Sequence, residues 1–189
     1  MTRARTAAVI ALALMLAACG GFELQHMVCV KSVDNPYYST LYSGYLTRAE
    51  HEQRYGHYVS ADSYAIKARK AAGGEGVAVF TPNDADVFPD GAVPAADVDA
   101  MMDGRKALTE LLQTGASKVM PIALANAQVM YDCWIEEQSY IDDFNEDNQP
   151  DHAAFCRHGF NRSLAIVQEA MQAKPAPQTL ASVPEPMPE

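Results

Sequence analysis

The sequence predicts a mainly α fold, with about five helices in two antiparallel hairpins and the second hairpin stapled by a disulfide. Three observations carry this. Apolar residues recur at three- and four-residue spacing through most of residues 35–173. The 49% hydrophobic content is ample for one core, but much of it is alanine, which suits thin helical packing rather than a large β core. Gly56, Gly73-Gly74, Gly115 and Pro121 punctuate the periodic stretches where helices should stop or start.

Residues 20–34 show weak alternation (Phe22, Leu24, Val28, Val30) and no helical period, so an extended tether or a short strand is expected there. Asp34-Asn35-Pro36 is a helix start. Tyr38, Leu41, Tyr42, Tyr45, Leu46, Ala49 and Tyr55 follow at helical spacing, and Gly56-His57 breaks the run. Tyr58, Ala61, Tyr64, Ala65, Ala68 and Ala72 form the face of a second helix, closed by Gly73-Gly74. Residues 75–94 carry Pro82, Pro89, Pro94, Gly76 and Gly91 and read as a long irregular connection, with a short extended piece at 77–80. A third helix runs from Ala95 to Thr114, with Val98, Met101, Met102, Leu108, Leu111 and Leu112 on one face and Gly115 as its cap. A fourth runs from about Pro121 to Ile141 and turns Leu124, Ala127, Tyr131, Trp134 and Ile141 inward. After the acidic loop Asp142–Asp151, a fifth runs from about His152 to Ala173 and buries Cys156, Phe160, Leu164, Val167 and Met171. Five of the 11 prolines fall in residues 174–189, which read as a disordered, polyproline-biased tail.

The first hairpin, at Tyr55-Gly56-His57-Tyr58-x-x-Ala61 and Lys67-Ala68, resembles a tetratricopeptide-type unit. Only one such unit is visible, and repeat arrays need about three, so an ordinary αα-hairpin explains it as well. If the resemblance extends to binding, Tyr38, Tyr42, Tyr45 and Tyr64 would line a groove for a partner peptide.

The N-terminus predicts export. Arg3 and Arg5 precede an apolar run from Ala7 to Ala18, too short to span a bilayer and suited to a signal-peptide core. Leu16-Ala17-Ala18-Cys19-Gly20 resembles the lipobox of bacterial lipoproteins. That resemblance implies cleavage before Cys19 and acylation of Cys19 by palmitate-class chains; two or more chains anchor stably. An ordinary secretory signal cleaved near Ala18 is the alternative. Gly20 follows Cys19 where an Asp would favour inner-membrane retention, so the outer membrane is expected, with the domain facing the periplasm. The domain division is then a signal at 1–18, an anchored tether at 19–34, a helical domain at 35–173 and a tail at 174–189.

Loss of residues 1–18 removes Arg3 and Arg5 but no acid, taking the net charge from −10 to −12. Such a chain repels nucleic acid and anionic headgroups, so neither is an expected partner. Cys29, Cys133 and Cys156 remain after Cys19. Cys133 and Cys156 lie on consecutive helices with roughly equal arms to the turn between them, so they are expected to pair in an oxidising compartment. Cys29 is left outside that pairing.

Other constellations weigh less. Cys133, His152, Cys156 and His158 could make a zinc set, but His158 is two residues from Cys156 and points to another helix face. Asp143-x-Asn145-x-Asp147 resembles a calcium loop of the EF-hand kind, but Asn148 stands where the turn glycine belongs and Ala154 where the bidentate Glu belongs. No metal and no cofactor is therefore expected. Gly-x-Ser-x-Gly, phosphate-loop, dinucleotide and His-Glu-x-x-His motifs are missing from the sequence. Glu136 and Glu137 are adjacent on a helix and should diverge.

Ala127-Gln128-Val129-Met130-Tyr131-Asp132-Cys133-Trp134-Ile135-Glu136-Glu137-Gln138, followed by Phe155-Cys156-Arg157 and Phe160, resembles the N-terminal helical region of alphaproteobacterial OmpA-family lipoproteins. The resemblance is strongest over about 118–168. In that family a peptidoglycan-binding module follows; this chain carries the proline-rich tail in its place, so peptidoglycan binding does not transfer. The resemblance implies an envelope lipoprotein and supplies no activity. The expected function is a non-enzymatic structural or protein-interaction module at a membrane surface. The alternatives are a tetratricopeptide-like adaptor and a periplasmic hydrolase.

Overall fold

The computed structural model describes residues 22–82, 93–140 and 150–173. These are mainly helical, as the sequence predicts, and contain no strand. In chain order the helices are α1 (Phe22–Gln25), which runs into a 3-10 turn at His26–Cys29, α2 (Pro36–Tyr55), α3 (Tyr58–Ala72), α4 (Ala95–Gln113), α5 (Ala116–Val119), α6 (Pro121–Ser139) and α7 (Pro150–Gln172). The five long helices are those expected, within a few residues at each end. The two four-residue helices are additions.

Local chemistry explains the boundaries. Asn35 is extended, and its side-chain oxygen accepts from the backbone N–H groups of Tyr37 at 3.0 Å and Tyr38 at 3.2 Å, while Pro36 fills the first turn of α2. Gly56 ends that helix at φ +84°, a left-handed conformation that glycine adopts without strain, and the chain re-enters a helix two residues later. Gly115 differs from its expected role as the cap of the third helix. Thr114 caps α4, and Gly115, at φ +79°, turns the chain into α5.

The N-terminal expectation needs correction. Residues 22–29 are helical, not extended, and they dock on the bundle. Leu24 and Met27 are buried, the Glu23 N–H donates to Asp62 at 3.2 Å, and Tyr42 donates to the Val30 carbonyl at 3.2 Å. Leu24 and Met27 are about one helical turn apart, too short a run for a period to register in the sequence.

α2 packs along α3, α6 packs along α7, and α2 lies against α6. The α2–α6 approach is close at Gly44, where an added Cβ would fall 2.8 Å from a Val129 methyl carbon. Leu41, Tyr45, Tyr64, Ala65, Ala68, Leu124, Ala127, Tyr131, Ile135 and Val167 are fully buried between these helices. From α4 Met101 and Leu108 are buried, whereas Met102 is exposed, so only one member of the expected methionine pair reaches the core. Trp134 and Phe160 stack at 6.0 Å between α6 and α7. Cys133 and Cys156 are joined, with α-carbons 5.6 Å apart and 23 residues of sequence separation. Cys19, residues 83–92, Ile141, the acidic loop as far as residue 149, and the tail from residue 174 lie outside the described residues.

Closing a loop of this length restrains the unfolded chain and is worth about 3 kcal/mol. Reduction, or Cys156→Ala, should lower the unfolding free energy by roughly that amount. Urea denaturation with and without reductant measures it, and unchanged midpoints would show that the pair adds no stability.

Candidate functional site

The polar residues that matter lie on one face of α6. Gln128, Asp132 and Glu136 recur at four-residue intervals and are all fully buried against α2 and α3. Each meets a different set of donors.

Gln128 accepts from the Tyr37 hydroxyl at 2.6 Å and donates to the Val77 carbonyl at 2.7 Å. Asp132 takes three donors: the Tyr45 hydroxyl and Lys67 Nζ, each at 2.6 Å, on one oxygen, and the Phe80 N–H at 2.7 Å on the other. Lys67 also donates to the Ala78 carbonyl at 2.7 Å and sits 3.5 Å from the Phe80 ring centroid. Arg105 of α4 donates to the Phe80 carbonyl at 3.2 Å. The connection through residues 77–80, which has no sheet to pair with, thus finds its backbone partners on side chains of three helices.

Glu136 lies in a second cluster one turn on. Arg48 Nη2 stands 2.6 Å from Glu52, 2.8 Å from Glu136 and 2.7 Å from Glu137. The two adjacent glutamates do not diverge as spacing suggested; both reach this one guanidinium. Tyr64 donates to Glu136 at 3.3 Å, and His57 Nδ1 lies 3.0 Å from the other oxygen of Glu52. Burial pushes the Glu136 carboxyl well above the usual range, and the Glu52 charge adds to this against Arg48. Burial also opposes ionisation of Glu52, but hydrogen bonds from His57 and Glu136 and the Arg48 charge outweigh it, so Glu52 lies below its ordinary value. Of the two, Glu52 is therefore the more readily ionised and Glu136 the one that holds its proton more tightly. Glu136 Oε1 has no partner as an acceptor. A proton there, directed at Glu52, gives it one. Burial likewise raises the Tyr45 and Tyr64 hydroxyls far above 10, with nearby Asp132 and Glu136 adding to each in turn, so both remain donors.

The four tyrosines expected to line a partner groove do not share one. Tyr45 and Tyr64 are fully buried, stacked at 6.0 Å, with their hydroxyls spent on Asp132 and Glu136. Tyr38 is half-buried at the start of α2. Tyr42 lines a cleft of about 480 Å³ with Leu24, Met27, Leu46 and Glu50. Tyr45 and Tyr64 face inward because two buried carboxyl groups need donors, a requirement that the tyrosine spacing alone does not reveal. The stripe Gln128, Asp132, Glu136 was readable at four-residue spacing, but its neighbours Tyr131, Trp134 and Ile135 make α6 apolar nearly all round and mask it.

A second opening lies on the far side of α6. Ile122, Asn126, Met130, Phe155, His158, Arg162 and Ile166 line a groove of about 640 Å³ between α6 and α7. Phe155 is 66% exposed and Ile122 57%. Among the described residues no helix is long and apolar enough to cross a membrane.

Asp132→Ala strips acceptors from Tyr45, Lys67 and Phe80 together, and should cost on the order of 3–5 kcal/mol in urea denaturation. Glu136→Gln should behave oppositely with pH. A folded-state pKa above the unfolded value means that the native state holds the extra proton, so its contribution is full below about pH 4.3 and is lost as pH rises toward the folded pKa. Glu52, shifted down, contributes above that value and loses its contribution in acid. Glu136→Gln keeps the neutral form at every pH. Its melting temperature should fall less than that of the wild type as pH rises above about 4.3; parallel curves would place the proton elsewhere.

No family model, no curated protein and no solved structure matches this chain.

Proposed function

We propose that this protein is a lipid-anchored envelope lipoprotein whose helical domain is a non-enzymatic protein-interaction module, binding a partner along the α6–α7 groove. One observation carries the binding part. The chain has a net charge of −10, yet residues 111–131 and 152–168 contain no Asp or Glu. These two stretches hold the groove, with His158 and Arg162 on its lining and Ile122, Phe155 and Ile166 exposed beside it. Exposed apolar residues concentrated in one place mark a contact surface, unlike the same residues scattered singly. A helix-in-groove contact fits the dimensions: a partner segment with apolar anchors at helical spacing, and acids positioned to meet Arg162.

The interior acids support a non-enzymatic reading. Asp132, Glu52 and Glu136 are held by partners from this chain and are almost wholly withdrawn from solvent. The envelope assignment rests on the Cys19 lipobox, on the resemblance to OmpA-family lipoproteins, and on a disulfide that belongs in an oxidising compartment.

A photo-crosslinker at Asn126 in intact cells should capture a discrete protein, and Ile122→Asp with Phe155→Asp should abolish capture while leaving the melting temperature within a few degrees. Capture that survives both substitutions would move the binding surface elsewhere. Separately, Cys19→Ala should shift the protein from the detergent phase to the aqueous phase on partitioning. Equal partitioning of the two would refute the lipid anchor.

A further inference from the structure

Three clusters of ligand-type side chains occur among the described residues. Two are already committed. Cys133 and Cys156, beside Glu137, are bonded to one another. Glu52, His57 and Glu136 are engaged with one another and with Arg48. The third, His51, Glu137 and His152, is different: its members come from α2, α6 and α7, all are partly exposed, and their candidate ligand atoms lie within 4.8 Å of one another.

We propose that His51, Glu137 and His152 form a binding site for a borderline divalent transition-metal ion, Zn²⁺ being the type case, with a water completing the shell. Two imidazoles and a carboxylate are the donor set of three-ligand zinc sites, which keep an open position. The histidine rings stand 5.9 Å apart between centroids at 64°. Two imidazoles on one tetrahedral ion place their centroids roughly 5 Å apart, so a small closing movement suffices. His152 is 38% exposed, in the first turn of α7.

The carboxylate is already aimed. Arg48 holds one oxygen of Glu137 at 2.7 Å, leaving the other 3.8 Å from His152 Nδ1. A charged donor on the outer oxygen fixes the orientation of the inner one, as supporting partners do around bound metals. The His51 ring lies 4.7 Å from the Tyr55 ring, tilted at 48°, which limits its positions. The zinc set weighed from the sequence shared only His152 with this one; the partners of His152 are His51 and Glu137, residues some 90 positions apart that no local spacing connects.

The consequence is structural as well as chemical. α2 and α7 each pack on α6, and the ion would join them directly at the start of α7, next to the acidic loop.

The test is titration of the full chain, free thiols alkylated and the disulfide intact, with Zn²⁺ by calorimetry at about pH 7.5. One ion per chain is expected. His51→Ala and His152→Ala should each weaken binding by roughly tenfold or more, whereas His158→Ala, on α7 but outside the cluster, should leave it unchanged. Helical circular dichroism of each variant guards against loss of fold, and Zn²⁺ should raise the melting temperature of the wild type and of His158→Ala only. Lack of saturable binding, or binding equally strong in His51→Ala and His152→Ala, would overturn the proposal.

Discussion

Asp132 is the point on which the rest of the molecule rests. A carboxylate withdrawn from water carries a desolvation penalty of several kcal/mol, and it stays ionised only where donors surround it. Here the donors are Tyr45 of α2, Lys67 of α3 and the backbone of Phe80, so one side chain of α6 fixes the position of two helices and a connection. The consequences spread outward. Tyr45 cannot turn to solvent, the Lys67 ammonium is drawn between the Tyr45 and Phe80 rings, and the irregular segment after α3 acquires the hydrogen bonds that a sheet would otherwise supply.

Glu136 extends the same logic by a different route. It meets another acid, Glu52, and two carboxylates this close cannot both ionise. Arg48 neutralises one, and a proton neutralises the other. The arrangement is demanding: α2 must present Arg48 and Glu52 on one face, four residues apart, at the height of Glu136 and Glu137. A purely alanine- and leucine-lined α2–α6 contact could slide by a turn with small loss, because small side chains interdigitate weakly. Two polar nodes a turn apart on α6 oppose such a slip, since it would leave Asp132 facing the wrong donors. Register is thus set by charge, and the alanines permit the close approach that lets short side chains meet.

How much of this was legible follows from which signals are local. Helix positions came through clearly, because Asn35-Pro36, Gly56 and Pro121 act on their own neighbours. The Cys133–Cys156 pair was legible because the two helices share a short loop with nearly equal arms. The tyrosine groove failed for the opposite reason. Tyr45 and Tyr64 have ordinary amphipathic spacing, and what turns them inward is Asp132 and Glu136, more than 70 residues away in sequence. Residues 22–29 failed because a single helical turn offers too few positions for a period, while its anchors, Asp62 and the bundle surface under Leu24 and Met27, lie on other segments. The His51–Glu137–His152 cluster was hidden in the same way, its members spread over three helices.

The distribution of charge connects the interior to the proposed binding face. The buried acids occupy one side of α6 and are neutralised by Lys67, Arg48 and a proton, so they project little field outward. The exposed acids then outweigh the exposed cations over the chain as a whole, at a net charge of −10. The α6–α7 groove carries Arg162 and His158 with no acid in either stretch that builds it. On the proposed reading, an acidic, apolar-anchored segment would be disfavoured by the net negative charge elsewhere and accepted here. Discrimination of this kind comes as much from the repulsive surroundings as from the contact itself. α6 thus has two opposite faces: the side facing α2 and α3 spends its polar groups internally, and the side beside α7 leaves apolar surface exposed.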